Sequence, residues 1–312
     1  MSSGGPVFSF AMPAYNAEAT IGRAIESALE QRYADWELVV CDDGSTDGTA
    51  DLVRSYAARD ARVHLIQQAN AGCGAARDTA VRASRGRYVV RFDADDELLP
   101  EYLEEMAAFI EREPGYDIYS CNGWHLYPDG SRRLARPDER YREEQSFTLE
   151  EMLFATHIFT VAIFTRDLFD RVGGIRPGVY CEDLDFWLRA FALGEATHRY
   201  LPRPLALYTV SETQMTADFT RVAESRVGIY RDLIATGALT AEEERLAERA
   251  VEKVVQDERV YRWRTAVRTG VARVLGDRAG DVVSNAMHAS ARWLRPPFAW
   301  LASLLARRGG ER

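Results

Sequence analysis

The sequence predicts an α/β protein with a mostly parallel β-sheet, followed by a helical C-terminal extension. Short apolar segments alternate with amphipathic segments over the first 112 residues, and this alternation is typical of βαβ units, in which a helix connects two parallel strands. The segment Trp36–Cys41 is nearly all apolar, as expected for a strand that helices cover on both faces. Open sheets of this class bind ligands at the carboxyl ends of their strands.

The strands of the first part are indicated by apolar and β-branched runs, and the helices by apolar residues every three or four positions. In chain order these elements are strand Val7–Met12, helix Ala17–Gln31, strand Trp36–Cys41, helix Ala50–Arg59, strand Val63–Gln67, helix Ala75–Ser84, strand Tyr88–Val90 and helix Glu101–Arg112.

The pattern is less regular after residue 112. The predicted strands are Ile118–Asn122, Trp124–Tyr127, Phe159–Phe164, His198–Leu201 and Ala206–Thr209, and the predicted helices are Glu150–Ala155, Arg166–Val172, Cys181–Leu193, Thr216–Ala235 and Thr240–Thr269. We predict two domains, an α/β domain over residues 1–215 and a helical extension with an amphipathic tail over residues 216–312.

Composition excludes several classes of protein. The net charge of -9 argues against general nucleic-acid binding, which needs a basic surface. The four cysteines show no CxxC spacing, so we expect no structural zinc and a reducing, cytoplasmic environment. The first residues lack the basic and apolar regions of a signal peptide, and no apolar run reaches the roughly 20 residues of a membrane span.

Three polar clusters, Pro13–Asn16, Asp42–Thr46 and Asp93–Asp96, follow predicted strands. Because the carboxyl ends of parallel strands meet at one edge of a sheet, we expect the three clusters to converge on a single crevice.

The third cluster places three carboxylates within four positions. These groups repel one another unless a cation lies among them. Asp93 and Asp95 are spaced to point the same way, and two such oxygen donors suit Mg²⁺ or Mn²⁺ that also binds substrate phosphates. The alternative is a polar turn that caps the next helix. Asp96 either joins the metal through water or provides that cap.

Six motifs together resemble the inverting GT-A glycosyltransferases of family 2, over about the first 215 residues. In chain order they are Pro13–Asn16, Asp42–Thr49, Gly72–Arg77, Phe92–Asp96, Val172–Gly174 and Glu182–Arg189. Each motif alone is a weak signal, but six in the family's order and spacing make a strong one.

The resemblance implies a metal-dependent inverting glycosyltransferase with a Rossmann-like GT-A fold. It would move a sugar from a nucleoside-diphosphate donor, expected to be UDP-linked, to a hydroxyl group of a cell-surface glycan or lipid-linked saccharide. The implied cofactor is Mn²⁺ or Mg²⁺, and no nucleic acid is expected as a partner.

The resemblance also implies a donor site. Asp43 would accept the imide N–H of uracil, with an Asx turn or helix cap as the alternative. Arg77 would reach the base or the diphosphate, or else form a surface ion pair. Asp93 would face the ribose, and Asp95, with Asp93, would hold the metal. The implied donor-binding residues are Pro13, Tyr15, Asn16, Asp43, Arg77, Asp93, Ala94 and Asp95.

Asp183 matches the family's catalytic base, and Glu182 would orient it. The alternative is a pair of acids that stabilise a helix N-terminus, and Asp185 is expected on another face of that helix. The implied acceptor region contains Gly173, Gly174 and Trp187. Alternatively, the glycines simply end a helix and Trp187 belongs to the core.

Two departures from the family pattern keep other functions open. Asp78 stands where the family usually has Asn, and Tyr208–Ser211 lacks the family's basic residue and His. A catalytically silent sugar-nucleotide binding or scaffold protein is therefore one alternative. A nucleotidyltransferase is another, although Pro13–Asn16 is not the Gly-rich basic loop that it would need.

The tail carries five Arg and one Glu from Ala291 onward, with Phe298, Leu301 and Leu305 on one helical face. Such a segment can lie on an anionic bilayer, which would place the protein at the inner face of the plasma membrane. The alternative is a helix that packs on the protein's own core or, through self-association, on a partner chain.

Overall fold

The structure is a computed structural model that describes residues 5–211 and 218–275. Within these residues the strands are β1 (Phe8–Ala14), β2 (Trp36–Asp42), β3 (Val63–Gln67), β4 (Tyr88–Arg91), β5 (Glu97–Leu98), β6 (Ile118–Leu126), β7 (Arg132–Leu134), β8 (Ala162–Thr165) and β9 (His198–Thr209). The helices are α1 (Ile21–Leu29), α2 (Thr49–Ala57), α3 (Cys73–Ala83), α4 (Tyr102–Arg112), α5 (Leu149–Phe154), α6 (Arg166–Val172), α7 (Glu182–Leu193), α8 (Phe219–Ala235) and α9 (Ala241–Leu275).

The strands form one mixed sheet in the order β3-β2-β1-β4-β8-β6-β9-β5, and β7 pairs with β6. The strands β3, β2, β1 and β4 are parallel, as predicted from the βαβ pattern. β8 is antiparallel to both β4 and β6, and β9 is parallel to β6. The carboxyl ends of β1, β2 and β4 therefore lie at the same edge of the sheet.

Alternating residues of the central strands enter two different cores. Phe8 and Phe10 of β1 and Val90 of β4 belong to the core that includes α1 and α4. Ala11 and Val89 face the opposite core, which includes α3, α6 and α7. By the same alternation, residues 91 and 93 fall on the α3 and α7 side of the sheet.

The C-terminal helices share part of this second core. Ala223, Tyr230 and Leu233 of α8 and Ala247 and Ala250 of α9 are buried in it. Residues up to Val254 form one compact unit, and residues from Val255 form a second. The predicted domain boundary at residue 215 stays a prediction.

Most predicted elements are present, and the differences concern the irregular part. The segments predicted as two strands, His198–Leu201 and Ala206–Thr209, are one strand that passes through Pro202 and Pro204. Proline lacks an N–H for the sheet, and the register of the partner strand shifts opposite, around Asn122. The two predicted segments Ile118–Asn122 and Trp124–Tyr127 are likewise one strand, β6.

Gly86 lies where two segments of backbone approach closely. A Cβ atom on it would lie 2.5 Å from Ser9 Oγ and 2.7 Å from Ser9 N. Because backbone atoms cannot move aside cheaply, we expect Gly86→Ala to lower the free energy of unfolding by about 1–3 kcal/mol, as measured by urea denaturation.

Gly228, in α8, is the control. A Cβ atom added to it would have no heavy atom within 4 Å other than those of its chain neighbours and its own helix backbone. Gly228→Ala should therefore raise the free energy of unfolding by about 0.5–1 kcal/mol, because Ala has the higher helix propensity. Equal effects of the two substitutions would contradict the close approach at Gly86.

Candidate active site

Hydrogen bonds join the loops that follow β1 and β2. Asn16 has a left-handed backbone (φ 49°), which Asn tolerates better than most residues. Its side-chain oxygen accepts the N–H of Thr46 at 2.8 Å, and its own N–H donates to Ser45 Oγ at 2.9 Å. Pro13 is buried in β1, whereas Tyr15 is 52% exposed. The first two polar clusters of the sequence are therefore in contact.

Asp43 is buried and anchors the loop before α3. Its Oδ1 accepts Gln68 Nε2 at 2.7 Å and the N–H of Ala71 at 2.9 Å, and its Oδ2 accepts the N–H of Gly72 at 2.8 Å. A carboxylate offers about four acceptor positions, so Oδ2 keeps one for a further donor. The bonds run to a different loop, so an Asx turn or a cap on α2 does not describe them.

Arg77 of α3 is 1% exposed. Its Nη1 donates to the carbonyls of Ala11 and Phe92 at 3.3 and 3.4 Å. Its Nη2 forms ion pairs with Asp93 and, at 3.4 Å, with Glu182. The alternative prediction that Arg77 forms an ion pair at the surface is therefore wrong, because its ion pairs are buried.

Arg91, at the end of β4, makes a second bridge between the same two carboxylates. Its Nη1 donates to Asp93 Oδ2 and to the carbonyl of Thr160, both at 3.0 Å, and its Nη2 lies 3.1 Å from Glu182 Oε1. Sequence reasoning missed Arg91. The signal was a lone charge that ends an apolar strand two residues before Asp93, on the same face.

Asp93 is ionised in this arrangement. Burial alone would favour the neutral acid, but Arg77 and Arg91 outweigh it and lower the pKa of Asp93 to about 2. The side chain remains 21% exposed, which leaves room for a further hydrogen bond. Ala94, the next residue, is buried.

Glu182 and Asp183 open α7 and have opposite surroundings. Burial would raise the pKa of Glu182, but Arg91 and Arg77 hold it below its ordinary value. Asp183 is partly exposed, and its side chain accepts only the N–H of Leu184, at 2.7 Å, among the described residues. Burial, with the charge of Glu182, raises the pKa of Asp183 despite Arg91.

Asp95 and Asp96 also lack cationic partners. Asp95 makes no ion pair or hydrogen bond with another described residue, and burial and Asp93 raise its pKa to about 6. Both oxygens of Asp96 are buried without a hydrogen-bond partner in the described part of the chain, and burial with the two neighbouring acids raises its pKa far above the ordinary value. α4 begins at Tyr102 with no side-chain cap, so the capping role considered for this cluster is wrong.

The donor set near Asp95 fits a cation that completes its coordination with substrate. In residues 5–211 and 218–275, no three His, Cys, Asp or Glu side chains are grouped to hold a metal. Asp93 already gives both oxygens to arginines, which leaves Asp95 as the uncompensated carboxylate. Mg²⁺ typically takes one or two carboxylates together with phosphate oxygens, and this site offers that pattern.

Comparison with known proteins identifies the family. The sequence profile described as glycosyl transferase family 2 matches residues 9–173. The putative glycosyltransferase EpsE of Bacillus subtilis is 34% identical over 232 residues, which cover 73% of this chain and 82% of EpsE. The chain belongs to glycosyl transferase family 2.

Solved structures confirm the expected GT-A fold of this family 2 glycosyltransferase. S. aureus TarS 1–349 in complex with UDP is 19% identical and has a TM-score of 0.63, covering 92% of this chain and 93% of that one. The mannosyltransferase PcManGT from Pyrobaculum calidifontis, in complex with GDP-Man and Mn²⁺, is 21% identical with a TM-score of 0.61, covering 99% and 82%. This glycosyltransferase covers 42% of the length of a longer TarS chain.

Trp187 does not belong to an acceptor surface of the glycosyltransferase. It is 1% exposed, and its ring packs against Phe164 and Phe186 with centroids 6.0 and 5.0 Å away. Trp187 is therefore a core residue, as in the alternative considered from the sequence.

Gly173 and Gly174 end α6 with positive φ angles of 81° and 86°. A Cβ on Gly174 would lie 2.5 Å from Asp78 Oδ1, and the same oxygen accepts the N–H of Ile175 at 2.9 Å. Asp78 thus supports the turn after α6 and pairs with Arg82. The role of the two glycines toward the acceptor stays a prediction.

The family 2 glycosyltransferase has no His in Tyr208–Ser211. His157 is buried and stacks on Phe147 with ring centroids 4.5 Å apart, so it serves the packing of that segment. No helix in residues 5–211 or 218–275 is both long enough and apolar enough to cross a bilayer. The apolar tail face lies outside the described residues.

Asp185 lies on another face of α7 from Asp183, as expected, but it is fully buried. It pairs with Arg189 at 2.9 Å and with Arg176. Because removing one partner leaves a buried charge uncompensated, we expect Asp185→Asn to cost about 3–5 kcal/mol of unfolding free energy, as measured by chemical denaturation.

Asp167→Asn is the matched control. Asp167 also pairs with an arginine four residues later, Arg171, but its side chain is 76% exposed, so its loss should change stability by less than about 1 kcal/mol. A neutral Asp185→Asn would contradict the structural role of this ion pair.

Proposed function

We propose that this glycosyltransferase is a metal-dependent inverting enzyme that transfers a sugar from a UDP-linked donor to an acceptor hydroxyl group, with Asp183 as the general base. One observation carries the proposal: Asp183 is partly exposed and has no cationic partner among the described residues, while Glu182 beside it is held by two arginines. A base must be ionised, reachable and free to accept a proton.

The raised pKa of Asp183 supports this role. A general base works best when its pKa lies near the working pH, and burial with the charge of Glu182 moves the pKa of Asp183 upward from the ordinary value for Asp. Glu182, with its lowered pKa, stays ionised as the group that positions the base.

The donor side is supported by the loop contacts. Asp43 keeps one acceptor position for the imide N–H of uracil, and Asp93 keeps an exposed edge for the ribose. Pro13, Tyr15, Asn16 and Ala94 lie in or beside the loops that carry these groups. Tyr15 is exposed, so its ring is available to the base.

Asp95, with its uncompensated carboxylate, would hold Mn²⁺ or Mg²⁺. The bound cation would neutralise the charge that develops on the leaving nucleoside diphosphate. PcManGT, which shares the fold, was solved with Mn²⁺, and this supports the assignment.

In the proposed reaction these groups act together. The acceptor oxygen forms a bond to the anomeric carbon as the bond from that carbon to the diphosphate oxygen breaks. Asp183 takes the acceptor proton, and attack from the face opposite the diphosphate inverts the anomeric centre. The resemblance to the family extends the proposal to an acceptor on a cell-surface glycan or lipid-linked saccharide.

Asp183→Asn tests the base. Asn is close to Asp in shape but cannot take the proton, so we expect kcat to fall by about 10²–10⁴, while the Kd for UDP measured by calorimetry stays within threefold. The donor is found with a panel of UDP-, GDP- and dTDP-sugars by following release of nucleoside diphosphate.

Asp51→Asn is the control for this substitution. Asp51 also lies in the first turn of a helix, α2, but its side chain is 85% exposed. The kcat of the Asp51→Asn variant should therefore equal that of the wild type. Near-full turnover by Asp183→Asn would exclude Asp183 as the base.

Removal of the divalent metal tests the assignment of Asp95. With EDTA, we expect UDP affinity to fall at least tenfold, because the diphosphate and the carboxylates then repel one another. Asp95→Asn should raise the Mn²⁺ concentration that gives half-maximal turnover, whereas Asp129→Asn, in an exposed turn, should not. UDP binding that is equally tight with EDTA would contradict the metal role.

A further inference from the structure

We infer that Arg91 is a positioning residue for the reaction. Through Glu182, it holds the N-terminal end of α7, which carries the proposed base Asp183, next to Asp93 of the donor site. The inference rests on the proposed function, since it requires Asp183 to be the base. It concerns a residue that lies outside all six motifs of the sequence.

The contacts of Arg91 reach three elements. Nη1 binds Asp93 and the carbonyl of Thr160, and Nη2 binds Glu182 at 3.1 Å. Asp93 follows β4, Thr160 precedes β8, and Glu182 is the first residue of α7. A single planar guanidinium group thus joins the donor side of the site to the residue next to the base.

The direction of Arg91 follows from the alternation of β4. Val89 packs in the core formed with α3 and α7, and position 91 faces the same side two residues later. The side chain has little freedom there, because it is only 8% exposed. Its hydrogen bonds therefore define where Glu182 lies relative to Asp93.

Charge balance shows why two arginines are present. The Asp93 side chain is 21% exposed and Glu182 is buried, and Arg77 alone would leave one of these two negative charges uncompensated. Arg91 completes a neutral set of two guanidinium groups and two carboxylates. Without it, Arg77 would be shared between acids that repel each other, and Glu182 would be free to move with Asp183 attached.

The expected effect is on turnover more than on donor binding. A shift of about 1 Å in a reacting group can lower a rate by about 10²-fold. Asp43 and Asp95 do not contact Arg91 through any hydrogen bond or ion pair in the described part of the chain, and Asp93 keeps its ion pair with Arg77 when Arg91 is replaced, so UDP should still bind.

The experiment compares full-length variants by release of nucleoside diphosphate from the preferred donor, with water as the acceptor. We expect Arg91→Gln to lower kcat by about 10–100-fold and to leave the Kd for UDP within threefold. Arg91→Lys keeps the charge but cannot bind two carboxylates with fixed geometry, so its kcat should lie between those of Arg91→Gln and the wild type.

A double variant tests whether Arg91 acts through Glu182. We expect Arg91→Gln to lower kcat by less than threefold when Glu182→Gln is already present, because the contact is then already lost. The double variant also keeps the charges balanced, with Arg77 facing Asp93. If Arg91→Gln alone does not fold, Arg91→Lys, which keeps the charge, takes its place as the single variant in this comparison.

Arg176→Gln is the matched control. Arg176 also pairs with an acid of α7, Asp185, which keeps its second arginine, Arg189, so kcat should stay within twofold of the wild type. An equal loss in Arg176→Gln would show that any anchor of α7 has this effect and would overturn the inference. Full additivity in the double variant would overturn it as well.

The outcomes separate this inference from the proposed function. If Asp183→Asn is inactive and Arg91→Gln keeps its kcat within twofold, the inference fails and the proposed base stands. If Asp183→Asn keeps turnover, or if the wild type releases no diphosphate from any donor, the proposed function fails and the inference fails with it.

Discussion

The burial of two arginines and two carboxylates constrains the whole centre of the molecule. Arg77, Arg91 and Glu182 are withdrawn from water, and the Asp93 side chain is only 21% exposed. Breaking a buried ion pair typically costs about 3–5 kcal/mol. The four groups come from α3, β4, the loop after β4, and α7, so these elements must meet in one arrangement for the charges to balance. The Nε atoms of both arginines remain without hydrogen bonds in the described residues, so the compensation comes from the ion pairs and from the bonds of Nη1 to main-chain carbonyls.

The neutral cluster also divides the acids of the site by task. Asp93 and Glu182 have lowered pKa values because arginines hold them. Asp95 and Asp183 lie outside the cluster, have raised pKa values and keep oxygen atoms for other partners. One pair of carboxylates is thus held ionised by arginines, and in the proposed function the other pair holds a cation and accepts a proton. Sequence neighbours differ in role because their surroundings differ.

The sequence predicts the parallel half of the fold well, because each strand there is an apolar run bounded by turn residues. β5 and β7 have only two and three residues, too short for any periodicity. β5 forms through pairing with the distant strand β9, and β7 forms through pairing with the preceding strand β6. Motifs identified Asp93 and Glu182, but their partner Arg91 lies outside every motif. Its role depends on contacts 69 and 91 positions away, which local patterns cannot show. Periodicity did indicate the core position of Trp187, against the acceptor role that the resemblance implied.

Under the proposed recognition of uracil, Asp43 limits how the nucleotide preference of this enzyme can be changed. Its carboxylate holds the N–H groups of Ala71 and Gly72, at the entry to the helix that carries Arg77. A substitution meant to admit a different base would also release this loop and, with it, one member of the buried charge cluster. Redesign of the donor pocket would therefore keep an acceptor at position 43 and alter the residues around it, because the same two oxygen atoms hold the loop and, in the proposed function, select the base.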